Sequence, residues 1–168
     1  MANRDNPHGF KFHTNLLGGG VVPIWQGLAR SNSAWGSGDM LFASTGYIQS
    51  AITTGSAPVG IAVGATTSTL SRAHPKVLFY PNLQGVVFSG QEDGTPTQAD
   101  IWTTDAVTGS AAGGTSTSTQ EIDTTGGVAT RVHRIGFHPN TSIGANSEVL
   151  FVFNKSSFTG QTSSTVIG

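Results

Sequence analysis

The sequence predicts an all-β fold, a compact β-barrel or sandwich of short strands with an extended N-terminal arm. Glycine supplies 23 of the 168 residues, serine and threonine are abundant, and the strong helix formers leucine, lysine and glutamate are scarce, which disfavours helices. Short apolar runs alternate with turn residues at roughly 8–12-residue spacing, which is typical of barrels and sandwiches. The length suits one domain with or without arms, and we find no internal repeat or linker that divides it.

Residues 1–20 form the expected arm. Pro7 and the run Gly18-Gly19-Gly20 interrupt any helix or long strand, because proline lacks a donor and glycine is conformationally permissive. Phe10 and Phe12 make the segment more apolar than a disordered tail. We therefore expect an extended arm that docks on another surface and is dispensable for folding, with a flexible terminus as the alternative.

Residues 21–168 form the expected β-barrel-like domain. Pro23 cannot donate a ladder hydrogen bond, so the segment around it belongs at a sheet edge. Residues 97–102 are predicted to form one helical turn or a short strand. About eight strands are expected, and the segments that suggest them lie at 21–25, 40–43, 58–63, 76–80, 85–89, 128–137 and 148–154, with order also resuming at 120–123.

Three segments of this domain carry more specific predictions. Residues 108–119 are a low-complexity run of glycine, serine, threonine and alanine, which buries too little apolar area to offset its ordering entropy and is therefore a loop. The strand at 128–137 changes the phase of its apolar alternation, which predicts a β-bulge near Arg134. Residues 149–153 are apolar on both faces, which predicts a central strand.

The charge of the chain restricts its partners. The formal net charge is -1 and charged residues make up 10% of the sequence, against about 25% in ordinary domains. Such a surface lacks the clustered lysine and arginine that a nucleic-acid phosphate backbone requires, and it favours self-association because little repulsion separates the copies. The sequence also predicts no disulfide, signal peptide or membrane span, so we expect the chain to be made and kept in the cytoplasm unless it leaves inside a larger particle.

The titratable residues do not suggest a catalytic, cofactor or metal site. The histidines are His8, His13, His74, His133 and His138, and none has a spacing typical of joint metal ligation. Glu92 and Asp93 are adjacent and should diverge on a strand, and Asp93-Gly94 is a typical turn sequence. Asp105 and Asp123 lack the spacing of a calcium loop. A hydrolase that uses Glu92, Asp93 or Asp123 remains an open alternative.

The three tryptophans suggest a second alternative. Trp25, Trp35 and Trp102 are most simply core or interface anchors. They are also the residues that would line the groove of a carbohydrate-binding module, and replacing an exposed tryptophan would then abolish glycan binding.

The chain resembles a family of tailed-bacteriophage virion proteins, the capsid decoration (cement) or minor head proteins. The resemblance covers most of the sequence, in order, although each piece alone is weak. It rests on MANRDNPHGF at 1–10, GDML at 38–41, PVGIAV at 58–63, the hairpin 77–94 that ends in FSGQEDG, EID at 121–123, RIG at 134–136 with residues 140–145, and residues 149–154. The chain departs from the family pattern in its short glycine-rich arm and in Phe137-His138-Pro139.

The resemblance implies a structural protein of the virion rather than an enzyme. A cement protein binds across neighbouring copies of the major capsid protein on the outside of the capsid and stabilises the assembled shell by linkage. In this chain, Phe10, Phe12 and Trp25 would be the apolar anchors of the interface and Arg4 a polar contact. A homo-oligomer, with a trimer favoured, would suit a three-fold position on the shell. A tail, collar or fibre-base protein is the alternative within the virion.

Overall fold

A computed structural model describes residues 3–18, 21–31, 33–50, 58–66, 74–109, 118–124 and 132–154 of the protein. Within these ranges the regular structure is entirely β apart from one 3-10 turn, so the prediction of an all-β fold is confirmed. The elements are β1 (Lys11–Asn15), β2 (Trp25–Leu28), β3 (Met40–Ser44), β4 (Tyr47–Gln49), β5 (Pro58–Ala62), β6 (Lys76–Pro81), β7 (Val86–Gln91), the 3-10 turn Gln98–Asp100, β8 (Thr104–Thr108), β9 (Glu121–Asp123), β10 (Val132–Phe137) and β11 (Glu148–Phe153).

The strands form two antiparallel sheets that pack together. Sheet A has the order β1-β7-β11-β10-β8-β9, and sheet B has the order β2-β6-β5-β3-β4. Sheet B curls, because Ala29 at the end of β2 forms a parallel bridge with Ile48 in β4 and Arg30 N–H donates to the carbonyl oxygen of Ile48 at 2.8 Å. The two outer strands of sheet B therefore meet at one end, which gives this half of the molecule a barrel-like form.

The apolar core has two parts, one on each face of sheet B. Met40, Phe42 and Ile61 face sheet A and pack against residues such as Phe88 and Phe151. The other face contributes a second set, Leu41, Val59, Val77 and Phe79, which Ala29 and Trp35 cover. Successive residues of a strand point to opposite faces, so β3 is buried on both sides.

Several local predictions can be compared with the strands. The register of β10 against β11 shifts between Arg134 and Gly136, which confirms the bulge. The strand β11 lies between β7 and β10 and is therefore central, as predicted. The helical turn within 97–102 is present as Gln98–Asp100. Residues 110–117 of the predicted loop and residues 128–131 of the predicted strand lie outside the described residues.

Other strand predictions were wrong in detail. The strand expected at 21–25 begins only at Trp25 and runs to Leu28. The described residues contain eleven strands rather than about eight, because the short segments β4 and β8, and β1 within the expected arm, also pair with neighbours.

The expected separation of the N-terminal segment from the core is wrong at Phe10. Phe10 is 2% exposed, and its ring packs edge-on against Phe151 with centroids 5.2 Å apart. Gly90 leaves room for this ring, since a Cβ atom at Gly90 would lie 2.4 Å from it. The following strand, β1, pairs with β7 at the edge of sheet A. Residues 10–15 are therefore part of the folded unit.

Candidate functional site

The four residues expected at a partner interface lie in different environments. Arg4 is exposed, and Trp25, at the start of β2, is 36% exposed. Phe12 is half-buried and stacks on Tyr80 with ring centroids 5.2 Å apart. Phe10 offers no contact surface to a partner, because its side chain fills the core of its own chain. The structure thus corrects the role expected for Phe10 and leaves Arg4 and Trp25 accessible.

The N-terminal segment is fixed to the domain by polar side chains as well. The Asn3 side-chain amide donates to the carbonyl oxygens of Ser142 (2.7 Å) and Ala145 (3.0 Å), and its oxygen accepts from the Ser142 N–H. The Gln91 amide donates to the carbonyl oxygen of Arg4 at 2.7 Å. A polar cleft of about 380 Å³ lies between this segment and the loop that precedes β11.

An apolar surface lies on one face of β2 and β6, and we call it the β2–β6 face. In the antiparallel register Gln26 is opposite Leu78 and Leu28 is opposite Lys76, so these four side chains share a face with Ile24. Ile24, Leu28 and Leu78 are each about half exposed, at 48%, 50% and 49%. Val77 and Phe79, the alternate residues of β6, point the other way into the second core.

The strand at the border of this face is short and uncharged, and it meets β4 only where Ala29, directly after β2, bridges to Ile48. β2 is an outer strand of sheet B, and Trp25–Leu28 contains no charged residue and no proline. It pairs with β6 without a register shift. By contrast, β1 at the edge of sheet A carries Lys11 and a bulge after Phe12, features that discourage further strand pairing.

A buried ion cluster joins three strands of sheet A. Arg134 on β10 lies between Asp105 on β8 and Glu92, the residue that follows β7, and the side chains of all three are 0–4% exposed. The guanidinium Nη1 donates to Glu92 Oε1 at 3.0 Å, and Nη2 donates to Asp105 Oδ1 at 2.8 Å. Nε is 2.6 Å from Asp105 Oδ2. Nη2 also donates to Thr103 Oγ1 at 2.9 Å.

The cluster places two buried carboxyl groups beside one guanidinium, an environment that favours the protonated form of a carboxyl group. Burial raises the pKa of Glu92 to about 8, a shift that Arg134 opposes and Asp105 reinforces. Burial also raises the pKa of Asp105, again against the effect of Arg134. Strongly perturbed carboxyl groups often mark catalytic sites. These groups are sealed from solvent, so a substrate cannot reach them, and their arrangement supports a structural role.

The cluster was missed in the sequence because its members are far apart along the chain. The divergence expected for Glu92 and Asp93 is confirmed: Glu92 is buried, whereas Asp93 is exposed and its Oδ1 accepts from the Thr124 N–H at 3.1 Å. Arg134 could have indicated the cluster, because it is a charged residue within a predicted strand that also contains Val132, Ile135 and Phe137. Such a residue requires buried partners of opposite charge.

The histidines and tryptophans are distributed over several surfaces. His13 and His138 contact each other edge-on with centroids 5.3 Å apart, and His133 lies beside Trp102. Trp35 is buried, whereas Trp102 is 68% exposed. Among the described residues no three histidine, aspartate or glutamate side chains are grouped so as to hold a metal ion.

Helices that could span a membrane are not found in the part of the chain that the structure describes. Comparisons with protein-family models, with curated proteins and with solved structures gave no match to this chain.

Proposed function

We propose that this protein is a structural component of a virion that binds the outside of a phage capsid and stabilises the shell by bridging copies of the major capsid protein. The observation that carries the proposal is the β2–β6 face, where Ile24, Leu28 and Leu78 expose aliphatic side chains on and next to an outer strand of sheet B. Aliphatic groups held half exposed on a regular sheet are typical of surfaces that a partner covers.

The chemistry of this face favours a protein partner. Its only charged side chain is Lys76, so it cannot rely on ionic contacts and gains binding energy from apolar burial. A segment of the capsid protein could lay its apolar side chains on the face, so that both surfaces are removed from water on binding. Repeated over a shell, many such weak contacts sum to a large stabilisation.

The decisive experiment is co-sedimentation with purified heads of the phage that encodes the chain. The wild-type protein should bind the heads and raise the temperature at which they break open. Leu78→Glu should weaken binding by more than about tenfold, because it places a charge in the apolar contact. Ile143→Glu is the matched control, since Ile143 is also about half exposed (55%) but lies in the loop before β11.

Two results would contradict the proposal. If the wild-type protein binds neither heads nor any other virion part, a virion role is excluded. If Leu78→Glu and Ile143→Glu bind equally well, the β2–β6 face is not the contact surface. Binding to tails, collars or fibre bases instead of heads would support the alternative position within the virion, which an averaged electron-microscopy map of the particle would locate.

A further inference from the structure

Trp102 combines a strained backbone with an exposed side chain. Its φ angle is 72°, in the left-handed region that bulky residues rarely adopt, and its indole is 68% exposed. Burial of the ring therefore does little to offset the strain. Residues held in such conformations are concentrated at functional sites, where the surrounding structure imposes the geometry.

The surrounding structure does hold this turn firmly. The Trp102 N–H donates to the carbonyl oxygen of Arg134 at 3.0 Å, and the Arg134 N–H donates to the carbonyl oxygen of Thr103, also at 3.0 Å. The Arg134 guanidinium adds a bond to Thr103 Oγ1. The guanidinium is itself held by the buried ion cluster, so the backbone that carries the exposed indole is fixed in position.

The neighbour of the indole is a polar ring, His133, which offers hydrogen bonds without a positive charge. The His133 ring lies 6.2 Å from the Trp102 ring, inclined at 44°. Burial lowers the pKa of His133, so at neutral pH the imidazole has one donor and one acceptor nitrogen. In the same turn, Asp100 Oδ2 accepts from Thr97 N–H and Oγ1, and these bonds lower the pKa of Asp100 and keep it ionised.

We propose that Trp102 is the platform of a carbohydrate-binding site that takes a neutral hexopyranose ring. The apolar face of the sugar would stack on the indole, and sugar hydroxyl groups would exchange hydrogen bonds with His133. A flat apolar surface beside a neutral imidazole suits such a ring better than an anionic ligand, for which the imidazole supplies no positive charge. The site adjoins sheet A, whereas the β2–β6 face belongs to sheet B, so this inference does not rest on capsid binding.

The test is binding of the full chain to an array of neutral oligosaccharides of glucose, galactose, mannose and N-acetylglucosamine, followed by titration of the best binder by tryptophan fluorescence. Trp102→Asn should reduce affinity by more than about tenfold. Trp25→Ala, which removes another exposed tryptophan, should leave affinity unchanged. Because asparagine tolerates a positive φ angle, Trp102→Asn should also raise the Tm by roughly 2–4 °C.

This combination of lost binding and gained stability distinguishes a strained binding residue from a structural one. No binding of the wild-type protein to any sugar on the array would overturn the proposal. So would equal losses in Trp102→Asn and Trp25→Ala, or a lower Tm in Trp102→Asn. Loss of head binding in Trp102→Asn without any sugar binding would likewise overturn it, in favour of a protein partner at this turn.

Discussion

At the residue scale, the cluster of Glu92, Asp105 and Arg134 governs how the protein responds to pH. Two carboxylates share one buried guanidinium, and the protonated form of Glu92 is the one that burial favours. Removing one partner of a buried ion pair leaves an uncompensated charge, which is more costly than the pair itself is worth. The cluster therefore restricts which substitutions the three positions accept.

The raised pKa of Glu92 predicts that the stability of the protein falls as pH rises. The pKa of Glu92 is about 8 in the folded protein against 4.5 ordinarily, so between these values the folded state binds more protons than the unfolded state, and stability decreases with increasing pH. The lowered pKa of His133 acts in the opposite sense, but only below about pH 6.5.

Urea unfolding of the wild-type protein should therefore show the free energy of unfolding decreasing from pH 7 towards pH 8, and Glu92→Gln should show a flatter dependence. Equal slopes in the two proteins would mean that Glu92 does not hold the proton.

At the element scale, the N-terminal segment is anchored in the core by the ring of Phe10. Phe10 fills a space that Gly90 leaves open, and β1 then extends sheet A beside β7. A glycine opposite an aromatic residue fixes the position of the segment along the sheet, because only this register places the ring in the gap. Arg4, by contrast, remains exposed at the surface.

Replacing Phe10 should therefore affect stability rather than partner binding alone. Phe10→Ala is expected to lower the free energy of unfolding by about 3–5 kcal/mol, and Gly90→Ala by about 1–3 kcal/mol through overpacking. Leu17→Ala, at a position 73% exposed, is the control and should change stability by less than about 0.5 kcal/mol. Denaturant unfolding measures all three, and a loss for Phe10→Ala as small as that of the control would show that the segment lies outside the core.

The elements that sequence patterns predicted are those whose burial is strong and local. β11 was found because Val149–Phe153 is apolar on both faces, and the bulge because the alternation changes phase at Arg134. The short strand β9 was seen only as an ordered segment, and β8 was not seen, because three to five mostly polar residues form a strand only when a neighbour pairs with them.

The sites were harder to predict than the strands. Trp25 was singled out and does lie beside an exposed apolar face, but Leu28 and Leu78, which form that face, were not identified. Their exposure depends on the border of sheet B, which the sequence pattern does not show. The strain at Trp102 depends on bonds to Arg134, 32 residues away in the chain, and no local pattern reveals it.

At the scale of the whole molecule, the surface carries even less charge than the composition suggests. The chain has 8 basic and 9 acidic residues, and three of them are sealed in the ion cluster. Ionic contacts can therefore contribute little to the association that we propose, with heads or between copies in a trimer, and we expect apolar contact to supply most of its binding energy.

Association should therefore resist salt. Raising sodium chloride from about 0.05 to about 0.5 M screens ionic contacts almost completely but does not weaken apolar burial, so head binding and the oligomer mass measured by sedimentation should be unchanged. A steep loss of binding across this range would point to an ionic interface and away from the β2–β6 face.

The strand β3 has a consequence for how the molecule comes apart. Met40 and Phe42 belong to one core and Leu41 to the other, so β3 supplies side chains to both cores. Displacing β3 would expose both cores to solvent at once, and we therefore expect the two cores to unfold as one cooperative unit. The amide hydrogens of this strand should then exchange with solvent only when the entire molecule unfolds.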